Sequence, residues 1–209
     1  MVVLSYSKKF AFIANPKTGS KSIDAALAQY QERPELNNLE APGLFTRQHL
    51  PTAALRSIVG SEVWSGLASF AVIRNPYDWW VSQYTYNLRK LGQQVDADKP
   101  LCEDAVQRCL DLLAIYRGQE CSPTGTQWAF LCDSAGHLLI TQLMRFENLA
   151  ADFHRMCSRL TLERVTLLHL NRTPHPHWST WLSTPAKRMI ESIYAADFEL
   201  YENASIGPE

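Results

Sequence analysis

Near the start of the chain the apolar positions form an unbroken run, Phe10-Ala11-Phe12-Ile13-Ala14, too short for a helix, which predicts a buried strand. It gives way to a turn-rich loop, Asn15-Pro16-Lys17-Thr18-Gly19-Ser20. From about Ser20 the period changes, and Ile23, Ala26, Leu27 and Tyr30 recur at helical spacing. Strand, glycine-containing loop and helix are the parts of a phosphate-binding unit. A second uninterrupted run, Ser69–Ile73, predicts another buried strand that ends at Arg74. Asn75 can cap a following helix, Pro76 suits its first position and Asp78 its first turn. That helix is expected to bury Tyr77, Val81, Tyr84, Leu88 and Leu91, with Asp78, Ser82, Thr85 and Arg89 as its polar stripe.

The remaining pattern is less regular. Residues 31–66 are interrupted by Pro34, Pro42, Gly43 and Pro51, leaving room for a helix from about Thr52 to Ile58. Residues 92–125 are the least patterned, although Val106, Cys109, Leu110 and Leu113 suggest one helix. Leu138–Ile140 and Leu143–Phe146 read as short strands, and Leu149, Phe153, Met156, Cys157 and Leu160 mark a helix. Val165–Leu168 reads as a strand, followed by a polar, proline-broken loop from Asn171 to Trp181. A last helix starts at Thr184-Pro185 and carries Ile190, Ile193, Tyr194 and Tyr201 inward, with Asp197 as a buried, paired structural carboxylate. Alternating strands and helices imply an α/β three-layer sandwich with a mostly parallel central sheet. At 209 residues, a single domain spanning 1–209 is expected.

Composition narrows the partners. A formal net charge of −1 gives no broad positive field for nucleic acid, and no excess suited to a highly sulfated polymer. Cys102, Cys109, Cys121, Cys132 and Cys157 are odd in number and lack metal-type spacing, so they read as buried free thiols in a reducing compartment. Neither a signal peptide nor a membrane-length apolar run stands out, and a cytoplasmic location is expected.

The loop at residues 15–22 sets the chemistry. Backbone amides at a helix N-terminus attract phosphate, and Lys17 beside them neutralises charge, helped by the hydroxyls of Thr18, Ser20 and Ser22. Ordinary helix capping is the plainer alternative. A nucleotide kinase loop, G-x-x-x-x-G-K-[ST], requires glycines where Asn15 and Ser20 stand, and the strand Ser69–Ile73 delivers Arg74 rather than a metal-holding aspartate.

Asn15-Pro16-Lys17-Thr18-Gly19-Ser20-Lys21-Ser22-Ile23 resembles the 5′-phosphosulfate loop of sulfotransferases that use PAPS (3′-phosphoadenosine 5′-phosphosulfate), P-K-T-G-[GST]-[TS]-S. Phe70-Ala71-Val72-Ile73-Arg74-Asn75-Pro76-Tyr77-Asp78, with Ser82 and Tyr84, resembles their 3′-phosphate motif, F-x-x-V-R-[ND]-P-Y-[DE]-R-x-x-S-x-Y. Arg145-Phe146-Glu147-Asn148-Leu149 and His169-Leu170-Asn171 are similar to the R-F-E-x-L and h-x-N elements of the carbohydrate-type, heparan- and chondroitin-like branch. Lys21 departs from a usual Thr, and Trp79 from a usual Arg, a change expected to alter packing alone.

The resemblance implies a P-loop-NTPase-like nucleotide-binding core, and transfer of a sulfuryl group from PAPS to an acceptor hydroxyl, releasing PAP and using no metal. The acceptor would be a sugar or other small molecule. Lys17, with the loop Thr18, Gly19, Ser20, Lys21 and Ser22, would hold the 5′-phosphosulfate and stabilise the leaving phosphate. Arg74 and Ser82 would hold the 3′-phosphate, an ion pair of Arg74 with Asp78 being the structural alternative. Arg172 would approach a phosphate from a closing loop, and Trp178 would exclude water. His49 lies in the interval where heparan-type members keep a histidine base, and its ordinary pKa suits that task; Glu40 and Glu62 are the carboxylate alternatives. His175 and His177 lack the rest of a metal ligand set, and Glu147 is expected to order structure. Two rival readings remain: a P-loop-like nucleotide kinase, and a binding module that holds PAP or PAPS without turnover.

Overall fold

The computed structural model describes residues 1–38, 49–117, 125–163, 165–168 and 175–204. Four short strands, β1 (Val2–Ser5), β2 (Phe10–Ile13), β3 (Ala68–Ile73) and β4 (Gln142–Arg145), form one sheet in the order β1-β2-β3-β4. β1 runs antiparallel to β2, whereas β2–β3 and β3–β4 are parallel, with Phe12 opposite Phe70 and Ala71 opposite Leu143. The helices are α1 (Ser20–Leu27), α2 (Thr52–Val59), α3 (Ser61–Ser65), α4 (Pro76–Lys90) and α5 (Glu103–Arg117). After them come α6 (Gln127–Leu131), α7 (Leu149–Arg159), α8 (Trp178–Trp181), α9 (Thr184–Ile193) and α10 (Ala195–Glu202).

Strand alternation sends side chains into two separate cores. Val2, Leu4, Ala11, Ile13, Ala71, Ile73 and Leu143 face Leu55 of α2, Trp64 of α3, and Phe130 and Leu131 of α6. Val3, Phe10, Phe12, Phe70, Val72 and Met144 face Ile23 and Leu27 of α1 and Phe153 and Met156 of α7. With both faces covered, β2 and β3 contain no alternating polar residues, which is why they read as continuous apolar runs. A third core joins Trp79, Trp80, Tyr84 and Leu88 of α4 to Val106 and Cys109 of α5, with Trp181, Ala186 and Ile190. The expected α/β layering with a mostly parallel sheet is therefore present.

Several elements differ from the sequence expectation. β1 was not expected from the sequence. Its outer edge is closed by side chains: Val2 N–H donates to Asn37 Oδ1 (2.6 Å) and Leu4 N–H to Gln31 Oε1 (3.1 Å), while both carboxamides donate to Val2 O. Leu138–Ile140 is no strand, only a single bridge between Leu138 and Cys132. Val165–Leu168 buries Val165 and Leu167 alternately against the α1/α7 core but joins no ladder among the described residues. The last helix is two, broken at the buried Tyr194. Around α4 part of the expected polar stripe is enclosed: Ser82 and Thr85 are buried, Thr85 Oγ1 donating to Val81 O at 2.9 Å, whereas Arg89 and, against expectation, Leu91 are exposed. The helix is packed on more than one side, so amphipathic spacing understated its burial. Cys109, Cys132 and Cys157 are buried free thiols as expected, but Cys102 is exposed. Among the described residues, no helix is long and apolar enough to cross a membrane.

Asp197 is fully buried, and its partners are backbone amides rather than a cation. It accepts from Gln127 N–H (2.9 Å) and Trp128 N–H (2.7 Å), so α10 caps α6 across the fold. Burial raises its pKa to about 7 against the pull of those amides. Asp197→Ala would leave both donors unpaired at about 1–3 kcal/mol each, whereas Asp197→Asn keeps an acceptor. Denaturant titration should therefore rank wild type above Asn above Ala. An Ala variant as stable as wild type would remove Asp197 from the frame.

Candidate anion site at the strand ends

β2 and β3 are adjacent and parallel, so their C-terminal ends release both motif segments side by side. The first turns sharply: Lys17 and Gly19 both adopt left-handed backbone, at φ 63° and 74°. At Gly19 a side chain is excluded twice over, since a Cβ there would lie 3.0 Å from Leu149 Cδ2 and 3.2 Å from Phe146 Cε2. Lys17 has no such licence, and its conformation has to be imposed by its surroundings. Thr18 Oγ1 donates to Asn15 O (2.8 Å), Trp79 Nε1 to Pro16 O (2.9 Å) and Arg74 Nη1 to Lys17 O (3.0 Å). Trp79 thus ties the loop to α4 as well as packing, more than the sequence suggested. Thr18 spends its hydroxyl inside its own loop.

Beneath the loop lies Gln127, which sequence reasoning did not single out. Its Oε1 accepts from Arg74 N–H (2.9 Å) and from Asn15 Nδ2 (3.2 Å), and its Nε2 donates to Arg74 O (2.8 Å). Asn15 Nδ2 also donates to Val72 O at 2.9 Å. The only sequence hint was position: Gln127 follows Thr126, whose side chain caps α6.

Positive charge gathers above this frame. Burial lowers the Lys17 pKa to about 8, and Arg74, Lys21, Arg89 and Lys90 add repulsion. The Lys17 ammonium lies 4.1 Å from the Tyr86 ring centroid. Among the described residues, Lys17, Lys21, Arg89 and Lys90 form no ion pair. The α1 N-terminus opens toward the loop, since Gly19 brings no capping side chain, and Ser20 and Ser22 are buried in its first turn while Lys21 is exposed. Ser82 is buried on α4 one turn before Tyr86.

Arg74 is engaged already. Its Nε and Nη2 each lie 2.7 Å from Asp78 Oδ2, Nη2 is 3.4 Å from His175 Nε2, and the guanidinium sits 4.3 Å from the Phe146 ring. The ion pair named as its structural alternative exists, and it fixes the guanidinium against the Lys17 carbonyl. Glu147 orders structure as expected, accepting from Asn75 N–H at 2.9 Å. Trp178 stacks on Tyr77 at 4.5 Å, which brings the segment after residue 174 to the N-terminus of α4. Arg172, Glu40 and His169-Leu170-Asn171 lie outside the described residues.

His49 reaches the start of the loop. Its Nδ1 is 2.7 Å from Ala14 O, which can only accept, so Nδ1 carries the proton and Nε2 keeps its lone pair. Burial lowers its pKa to about 4, with smaller contributions from Lys21 and Lys17. Glu62, a carboxylate alternative, is exposed in the first turn of α3.

No protein-family model matches the chain, and no curated protein sequence matches it. Among solved structures, a sulfotransferase from Alicyclobacillus acidocaldarius aligns with 14% identity over 95% of this chain and 96% of its own, at a TM-score of 0.46. At that similarity the activity of this chain has to be argued from its own residues.

The lowered pKa of Lys17 gives a test of the anion site itself. The side chain is charged below about 8 and neutral above. A bound anion favours the charged form, so binding at pH 8.5 should draw a proton from solution. Titrating inorganic sulfate, which carries no proton of its own in this range, in two buffers of different ionisation enthalpy should show proton uptake at pH 8.5, little at pH 6.5, and none in Lys17→Met. Uptake that persists in Lys17→Met would assign the titration to another group.

Proposed function

We propose that the chain is a sulfotransferase that takes the sulfuryl group from PAPS and passes it to an acceptor hydroxyl on a sugar or small molecule. One observation carries the reading: four cationic side chains crowd Lys17 at a loop that ends in an uncapped helix N-terminus. Like charges held together at a partly desolvated site are tolerable where a multiply charged anion completes them. The motif residues supply the rest of the reading, since Lys17 and Arg74 meet across adjacent strand ends.

In this reading PAPS supplies an activated sulfuryl group and an anionic leaving phosphate. Lys17 and the first-turn amides of α1 hold the 5′-phosphate and stabilise charge that grows there. Lys21 adds a second cation at the same turn. Ser82 and Arg74 face the 3′-phosphate, Arg74 doing so by sharing its fork between Asp78 and the ligand. His49 takes the acceptor proton at Nε2, its tautomer fixed by Ala14 O.

A specific observation favours a second reading. Because Asp78 already neutralises Arg74, the site would also suit a nucleotide diphosphate lacking a 3′-phosphate, as a kinase-like protein would use. Thermal shift without added metal separates the two: PAP should raise the melting temperature more than ADP does. Equal shifts would remove the 3′-phosphate assignment and with it the sulfotransferase reading.

The geometry of His49 makes a kinetic prediction. His49→Ala should lower turnover by about 10²–10⁴-fold, the range for loss of a general base, with PAP affinity nearly unchanged. Because the imidazole stays neutral down to a pKa of about 4, the wild-type rate should be flat from pH 5 to 7 with respect to this group and fall only as it charges near 4. An acid limb near 6.5 would assign the base to another residue.

A further inference from the structure

The aromatic residues of α4 differ in burial, Tyr77 being half-buried. Trp79, Trp80 and Tyr84 are enclosed, whereas Tyr86 is 39% exposed. Its ring is nevertheless occupied: Lys17 Nζ lies 4.1 Å and Lys90 Nζ 4.9 Å from the centroid. Two ammonium groups on one ring repel each other, and the attraction of the ring face for cations offsets part of that cost. Tyr86 also follows Ser82 by one helical turn, so it extends toward Lys17 the helix face on which Ser82 lies.

Lys17 is held at its backbone by Arg74 Nη1, and its ammonium, at the end of a four-carbon stem, lies over the Tyr86 ring. Electrostatic stabilisation is most effective when the charge stands in place before the anion arrives. We propose that Tyr86 is a positioning residue whose ring holds the Lys17 ammonium at the loop, acting on the bound anion only through Lys17. The proposal rests on the donor-site reading above. The phenol hydroxyl has no part in it, so Phe should serve as well as Tyr, while an aliphatic side chain of similar bulk should not.

A double-mutant cycle on PAP affinity, measured by calorimetry at pH 7, tests this, because PAP keeps the phosphate assigned to Lys17. Tyr86→Leu should weaken binding about five- to tenfold, the size of a partly desolvated cation–π contact. Tyr86→Phe should stay within about twofold of wild type. In a Lys17→Ala background, adding Tyr86→Leu should cost less than about twofold more, because residues acting as one unit are not additive. Thermal melts of all variants check that folding is intact. Equal losses from Tyr86→Leu with and without Lys17, or a Phe variant as weak as Leu, would overturn the assignment. Wild-type protein that does not bind PAP would instead overturn the donor-site reading, and Tyr86 would fall with it.

Discussion

The carboxamide of Gln127 is the contact on which the site depends. It pairs with both the N–H and the C=O of Arg74 and receives Asn15 Nδ2, so a single side chain fixes the ends of two adjacent strands. Its backbone is held in turn by Asp197, which caps α6 from α10. The order of support therefore runs from the last helix through α6 to the loop that carries Lys17. Gln127 uses both ends of its carboxamide, and any shift would leave a donor or acceptor unpaired away from water. Arg74, whose backbone Gln127 holds, in turn donates to the carbonyl of Lys17 in its left-handed turn.

Charge behaves differently at two scales. The chain is almost neutral overall, which led the sequence reading away from polyanionic partners. Locally, burial depresses the Lys17 pKa most, and Arg74, Lys21, Arg89 and Lys90 lower it further. Net charge describes the far field, whereas recognition of a small anion is decided within a few ångströms. Asp78 is the counterweight at one edge of this group, and it sets how much of Arg74 remains for a ligand.

What the sequence made legible follows from period and from local chemistry. β2, β3, α1, α4 and α7 were readable because each buries a run or stripe with a clear repeat, and Asn75 caps α4 through its side chain as its identity suggested. β1 was not expected from the sequence, α3 was too short to carry a period, and α6 is announced only by the cap residue Thr126. At the site, Lys17 stood out by residue type in its loop, and Arg74 and His49 by the resemblance of their segments to known motifs. Gln127, Trp79 and Tyr86 were not recognised for their contacts there, because their importance lies in what they touch across 53, 63 and 69 positions of chain, and no local pattern records that.

The closed edge of the sheet has a consequence for how the molecule ages. Val2 O receives hydrogens from two carboxamides, Gln31 and Asn37, and so the row of backbone groups that could recruit a strand from another copy is filled from within. Deamidation at Asn37 would turn a donor–acceptor pair into a group that only accepts. Val2 N–H would keep its partner, but Val2 O would lose one of its two hydrogens and be left to Gln31 alone. Protection against edge-to-edge association is thus stored in the amide nitrogens of two side chains, a chemical state that time in solution can erode without any change in the fold.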